Sequence, residues 1–184
     1  MGDGTIYRGD TASGDVVVFL PPDGDGRSTI AGLLTPFRPA DPAYLNGIVA
    51  DPDDSVLLIA SQGEGGTLWR ADLTDQSAAP VDLGGYEFNA DGMLLDGDML
   101  YGVTNRGDTM ENIRFMISVA RLAPGWRSAT IVAELADPGW NCPTTIAMVN
   151  GQLLIVCSQI RAMRAKTAPR LPFEIVTTDL PTWP

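Results

Sequence analysis

Histidine is missing from all 184 residues of the chain. That absence removes His-based zinc sites, Ser-His-Asp triads, Cys-His dyads and imidazole general bases together. Lysine is nearly absent too: of 12 basic residues only Lys166 is not arginine, and the formal net charge is −11. Such a surface repels phosphate backbones, so nucleic acid is not an expected partner. Two cysteines, Cys142 and Cys157, cannot build a disulfide framework. Cys157 sits in an apolar run and reads as a small buried hydrophobe; Cys142 lies beside a proline, and a single bridge between the two is left open. No apolar run approaches the roughly 18 residues of a membrane span, so no membrane partner is expected. The start, Met1-Gly2-Asp3-Gly4, has neither the basic nor the apolar region of a signal peptide. Location is therefore not specified; the expectation is the cytoplasm, or the mature form of an exported protein.

Helical periodicity over a dozen residues is also scarce, and 14 prolines with 20 glycines argue against long helices. What is present is a series of short apolar, β-branched runs: 16–20, 56–60, 99–103, 131–135 and 153–157. Turn chemistry separates them at Asp51-Pro52-Asp53-Asp54, Asp96-Gly97-Asp98 and Asn150-Gly151. All-β is the fold class this dictates.

The runs belong to repeats. Superposing Ile48, Met93 and Ile146 aligns Asn46-Gly47-Ile48, Asp91-Gly92-Met93 and Thr144-Thr145-Ile146, each followed by a turn and a second strand. The first and second units start 45 positions apart, the second and third 53. Periods of about 40–50 residues with about four strands each are the spacing of β-propeller blades. Further strands are expected at 67–73 and 117–122, outer strands at 79–83 and 130–135, and a closing strand at 172–176. One propeller-like domain over 1–184 results: a partial first blade over 1–31, a linker over 32–44, and blades over 45–88, 89–138 and 139–178. The N-terminal part reads as the outer half of a blade, and Ala31 to Leu34 as the opening of another unit's inner strand.

Loops that enter the innermost strands of a propeller converge on its central channel. Asn46 and Asp91 occupy the same place in successive repeats, just before that strand, each followed by a glycine that permits close approach. An amide oxygen and a carboxylate are hard ligands for Ca2+, Mg2+ or Mn2+. Asn-Gly and Asp-Gly are also ordinary turns; their shared register is what raises the functional reading.

With the outer stretches Thr5-Ile6-Tyr7-Arg8-Gly9-Asp10 and Val81-Asp82-Leu83-Gly84-Gly85, these motifs resemble the SMP-30/gluconolactonase-like six-bladed propellers, as far as about Gln159. The resemblance implies a shortened or partial member, about four blades of a family that normally has six. It implies a divalent-metal-dependent lactonase or esterase-like hydrolase acting on a small-molecule lactone or ester. Asn46 and Asp91 match the family's channel Asn and Asp as metal ligands, and Asp91 its proposed catalytic base. Calcium is the expected cation, with Mn2+, Mg2+ or Zn2+ as alternatives. The family's Glu from the first blade and Asn from a middle blade have no counterpart here, and Thr144 is a weak neutral ligand. The alternative is therefore a non-catalytic propeller used for binding. Open blade edges would favour self-association.

Remaining candidates rank lower. Asn89, Asn105 and Thr144 could line the channel, although turn roles suit the two asparagines. Ser61, Ser118 and Ser158 have no histidine to activate them. Trp69, Trp126, Trp140 and Trp183 read as packing or surface anchors, and Gly63 to Gly66 as a hairpin loop. Arg161, Arg164, Lys166 and Arg170 form a local basic cluster, either a solvated loop or an anion-binding lip.

Overall fold

The computed structural model describes residues 6–9, 16–19, 30–33, 44–53, 55–62, 66–107, 109 and 111–181, with side chains from residue 44 onward. The chain is all-β. Among the described residues fourteen strands form four antiparallel sheets, each a meander in which consecutive strands are neighbours. Sheet I holds β1 (Ile6–Gly9), β2 (Val16–Phe19) and β3 (Ile30–Leu33). Sheet II holds β4 (Leu45–Ala50), β5 (Val56–Ser61), β6 (Thr67–Asp72) and β7 (Ser77–Pro80). Sheet III holds β8 (Met93–Asp96), β9 (Met99–Arg106), β10 (Arg114–Leu122) and β11 (Ala129–Leu135). Sheet IV holds β12 (Pro143–Val149), β13 (Gln152–Cys157) and β14 (Glu174–Asp179). A five-residue helix, α1 (Ile160–Arg164), follows β13. Among the described residues no helix is long and apolar enough to cross a membrane.

The continuous apolar runs have a direct cause: the middle sheets are covered on both faces. All six residues of β5 are buried, as are the first six of β9. Leu58 and Ala60 of β5 pack with Leu68, Phe88, Met93 and Leu100 between sheets II and III. Leu57 and Ile59 point the other way, with Leu45 and Ala71. In β9, Leu100 belongs to the first of these layers, while Met99, Tyr101 and Val103 meet Ile146, Leu153 and Ile155 between sheets III and IV. A strand with two buried faces needs apolar side chains at odd and even positions alike, so alternation is lost.

Local turn chemistry sets the registers. Asn150 and Gly151 both take positive φ, 52° and 78°, and close the β12–β13 hairpin as a two-residue loop. Asp51 Oδ1 accepts the amides of Ser55 at 2.6 Å and Val56 at 2.9 Å, bending the chain from β4 into β5.

Several expectations are corrected. Ala31, Gly32 and Leu33 do not open a new unit; they lie in β3, which pairs with β2 as the third strand of sheet I. β1 contacts β4, the first strand of sheet II. The outer strand of sheet II is Ser77–Pro80, a few positions before the expected 79–83, because Trp69 to Asp72 of β6 pair with it there. The C-terminal strand spans Glu174–Asp179 and pairs with β13. Within the segment expected to be a linker, residues 34–43 lie outside the described residues, as do Gly63, Glu64, Gly65 and Trp183.

Candidate functional site

The three aligned repeats share a structural device that the sequence motif encodes. In β4, Leu45 pairs with Ser61 and Ile48 with Ile59, so Asn46 and Gly47 together face the single residue Ala60. Ahead of β8, the Asp91 amide donates to Val103 O at 2.8 Å, and the Val103 amide donates to Gly92 O at 2.9 Å. Asp91 and Gly92 thus face one residue. In β12, Pro143 pairs with Cys157 and Thr145 with Val156, leaving Thr144 as the extra residue. Each is a β-bulge, a device that breaks alternation and re-aims a side chain. Asn46, Asp91 and Thr144 therefore stand at equivalent bulges on the first strands of sheets II, III and IV.

These first strands also pack against one another, β4 on β8 and β8 on β12. The glycines after Asn46 and Asp91 make the approach possible. A Cβ at Gly47 would lie 2.7 Å from Asp91 O, and one at Gly92 would lie 2.8 Å from Thr144 O. The Gly47 amide reaches the carbonyl of Ala90, in the segment that enters β8, at 3.3 Å. Each glycine thus seats against the polar residue of the following repeat, at the same end of all three sheets.

The consequence for chemistry is a direct pair. The side chain of Asn46 hydrogen-bonds the Asp91 carboxyl, and burial pushes the Asp91 carboxyl above its ordinary value, only partly offset by that bond. Asn46 is solvent-exposed and Asp91 half-buried, so the pair sits at an open mouth rather than in a closed core. Among the described residues no basic side chain contributes to the Asp91 environment. Among the described residues no group of three or more His, Cys, Asp or Glu is placed to share a metal ion.

Asn89 and Asn105 bind each other. Asn89 Nδ2 donates to Asn105 O at 3.0 Å, and the Asn105 amide donates to Asn89 Oδ1 at 3.2 Å. Gln62 Nε2 reaches Asn89 O at 3.3 Å, so these residues pin the strand entries together. Cys142 and Cys157 are both free and buried, and burial raises the Cys157 thiol. Ser61, Thr104 and Cys157 occupy equivalent positions beside the bulges, and all three are buried.

Sequence reasoning missed a second polar network on sheet III. Ser118 Oγ shares hydrogen bonds with Thr104 Oγ1 and with Tyr86 Oη, and Tyr86 Oη donates to Glu134. Arg106 lies 4.5 Å over the Tyr86 ring and reaches Glu134 Oε1 at 3.4 Å. Burial, then the Glu134 bond, raises the Tyr86 phenol. The residues come from four separate segments with no shared period, so no motif announces them.

No family model matches the chain, and no curated protein matches it. Among solved structures it is similar to a structural-genomics protein of unknown function from Bacteroides thetaiotaomicron VPI-5482, at 14% identity and a TM-score of 0.48. The match covers 83% of this chain and 41% of that one, so the chain spans less than half the length of that protein.

Proposed function

We propose that the four sheets are blades of a β-propeller, with β1, β4, β8 and β12 around its axis, and that the Asn46–Asp91 pair is a hydrolase-type site for a small lactone or ester. The observation that supports this is the hydrogen bond between two polar residues on equivalent bulges, with the carboxyl raised by burial. Bulges that aim one polar residue per blade toward a common axis are how a repeat fold assembles a site from separate segments.

A divalent cation suits part of this arrangement. Asp91 is a half-desolvated carboxylate whose side-chain partner is a neutral amide. A cation would meet an unbalanced charge there. Asn46 and Asp91 would hold it through oxygen, with Thr144 as a neutral third donor. Bound, the cation would polarise the ester carbonyl and acidify a water.

The chain's own groups have definite tasks. Asn46 orients the carboxylate through its amide. Asp91, a stronger base than an ordinary carboxylate because burial disfavours its charge, takes a proton from the attacking water. The water oxygen bonds to the acyl carbon, the acyl C–O bond breaks, and the proton passes to the departing alkoxide.

A second reading is a binding module without turnover. It is favoured by the donor set: one carboxylate and neutral oxygens, against the roughly 6–8 oxygens calcium takes. Lactone turnover and thermal unfolding with and without millimolar Ca2+ or Mn2+ separate the two. The hydrolase reading expects a cation-dependent rise in melting temperature that EDTA abolishes and Asp91→Ala removes together with turnover. Unchanged turnover and unchanged cation response in Asp91→Ala would overturn it.

A further inference from the structure

A cleft of about 340 Å3 lies among the loops at the strand-entry end of sheets III and IV. Its walls come from the start of β10, the loop between β11 and β12, and α1. Ile113, Phe115 and Trp140 supply apolar surface, and Arg114, Arg161 and Asp137 supply charge. An adjoining hollow of about 530 Å3 shares Arg161 and adds Arg164 and Glu111. Neither Asn46 nor Asp91 lines either space.

Arg161 is held in place rather than waving in solvent. Its Nη2 donates to Ile113 O at 2.8 Å, and its guanidinium lies 5.7 Å from the Phe115 ring centre. A guanidinium carries five N–H donors in a fixed plane, so one bond to a carbonyl leaves others for a ligand. The chain has 23 acidic residues for 12 basic ones, and Arg70, Arg106, Arg121 and Arg170 each lie within 4.0 Å of a carboxylate. Among the described residues Arg114, Arg161 and Arg164 form no such pair. Three arginines with no carboxylate partner among the described residues, around two adjoining hollows of so acidic a chain, mark a place suited to an anion from outside.

The two carboxylates narrow the class. Asp137 Oδ1 is engaged by the Gly139 amide at 2.7 Å, holding the loop that carries Trp140. Asp137 and Glu111 still oppose a multiply charged ligand. A single carboxylate at Arg161 suffers least from them, while an apolar body fills the space between Phe115 and Trp140. We propose that this cleft binds a small organic monocarboxylate with an aryl or alkyl body. Arg161 and Arg114 take the carboxylate, and the two aromatic walls take the body. This site does not depend on the hydrolase reading.

Calorimetric titration of the whole chain with 3-phenylpropionate, its neutral amide and inorganic phosphate tests this. The carboxylate is expected to bind once per chain with a dissociation constant on the order of 1 mM. The amide should bind at least about tenfold more weakly, as should phosphate, which lacks the apolar body. Arg161→Gln should weaken the carboxylate by about tenfold or more, and Arg114→Gln by severalfold. Asp91→Asn should leave it unchanged. If Arg161→Gln fails to fold, as judged by circular dichroism, Arg114→Gln and the amide comparison carry the decision. The proposal is overturned by no saturable binding below 20-fold the expected constant, or by equal affinity for the amide or for phosphate. Wild-type affinity in both arginine variants, or loss of binding in Asp91→Asn, would overturn it as well.

Discussion

Replacing Gly92 by alanine probes the packing that brings the candidate site together. The new methyl would sit 2.6 Å from Thr145 Cα and 2.8 Å from Thr144 O, both backbone atoms of β12. Carbon contacts relax at about 3.5–4.0 Å, so roughly 1 Å must open between β8 and β12. A strand hydrogen-bonded along its length cannot rotate aside as a side chain can. The cost belongs at the upper end of overpacking, about 3 kcal/mol. For a chain of this length that is a fall in melting temperature of roughly 6–12 °C. Gly47→Ala meets Asp91 O at 2.7 Å, but its other close neighbour is the flexible Met93 side chain, so about 1–2 kcal/mol is expected. Gly139→Ala is the control: its nearest neighbour is Asp137 Oδ1 at 3.1 Å, and the change should stay within about 0.5 kcal/mol. Urea unfolding followed by tryptophan fluorescence gives all three, with the slope checked for constancy. Gly92→Ala as stable as Gly139→Ala would refute the close packing of successive first strands.

Other outcomes follow from the same geometry. The Asp91 carboxyl is raised in the folded state, so its contribution favours folding below its unfolded pKa and is lost as pH rises through the folded one. Asp91→Asn should therefore be more stable than the wild type at pH 7, with the gap closing as pH falls below the ordinary carboxyl range; paired urea titrations at both pH values check this. Tyr86→Phe removes the bonds to Ser118 and Glu134 and should cost about 1–2 kcal/mol by the same assay. Asn89→Ala loses its side-chain bonds to Asn105 and should cost a similar amount, about 1–2 kcal/mol, with faster amide exchange at Asn105.

Much of this architecture can be read in the sequence because the repeat is physical. A bulge opposite a buried strand needs a polar residue, then a small one, then a core residue, and Asn46-Gly47-Ile48 and Asp91-Gly92-Met93 show it in the same order. The double-faced burial of β5 and β9 likewise writes itself as unbroken apolar runs. Other features leave no periodic trace. Ala31 to Leu33 is apolar enough to begin a unit or to finish one, and only its pairing with Val17 to Phe19 decides. The helix α1 spans five residues, too few for helical periodicity to register, and begins after Gln159 in the left-handed region at φ 54°. Asn89 and Asn105 are engaged with each other, fastening the segment entering β8 to the end of β9, a pairing that no motif spells out. The basic cluster at Arg161 was visible as composition; that Arg161 lies against Ile113 and Phe115, nearly 50 positions earlier in the chain, was not.

The site itself is best tested by carbon-detected NMR titration of the Asp91 carboxyl with and without Ca2+. The account predicts a midpoint above the ordinary 3.8 in the absence of cation, because burial disfavours the charge, and a fall in that midpoint when Ca2+ is added. An ordinary midpoint that Ca2+ leaves unmoved would contradict it.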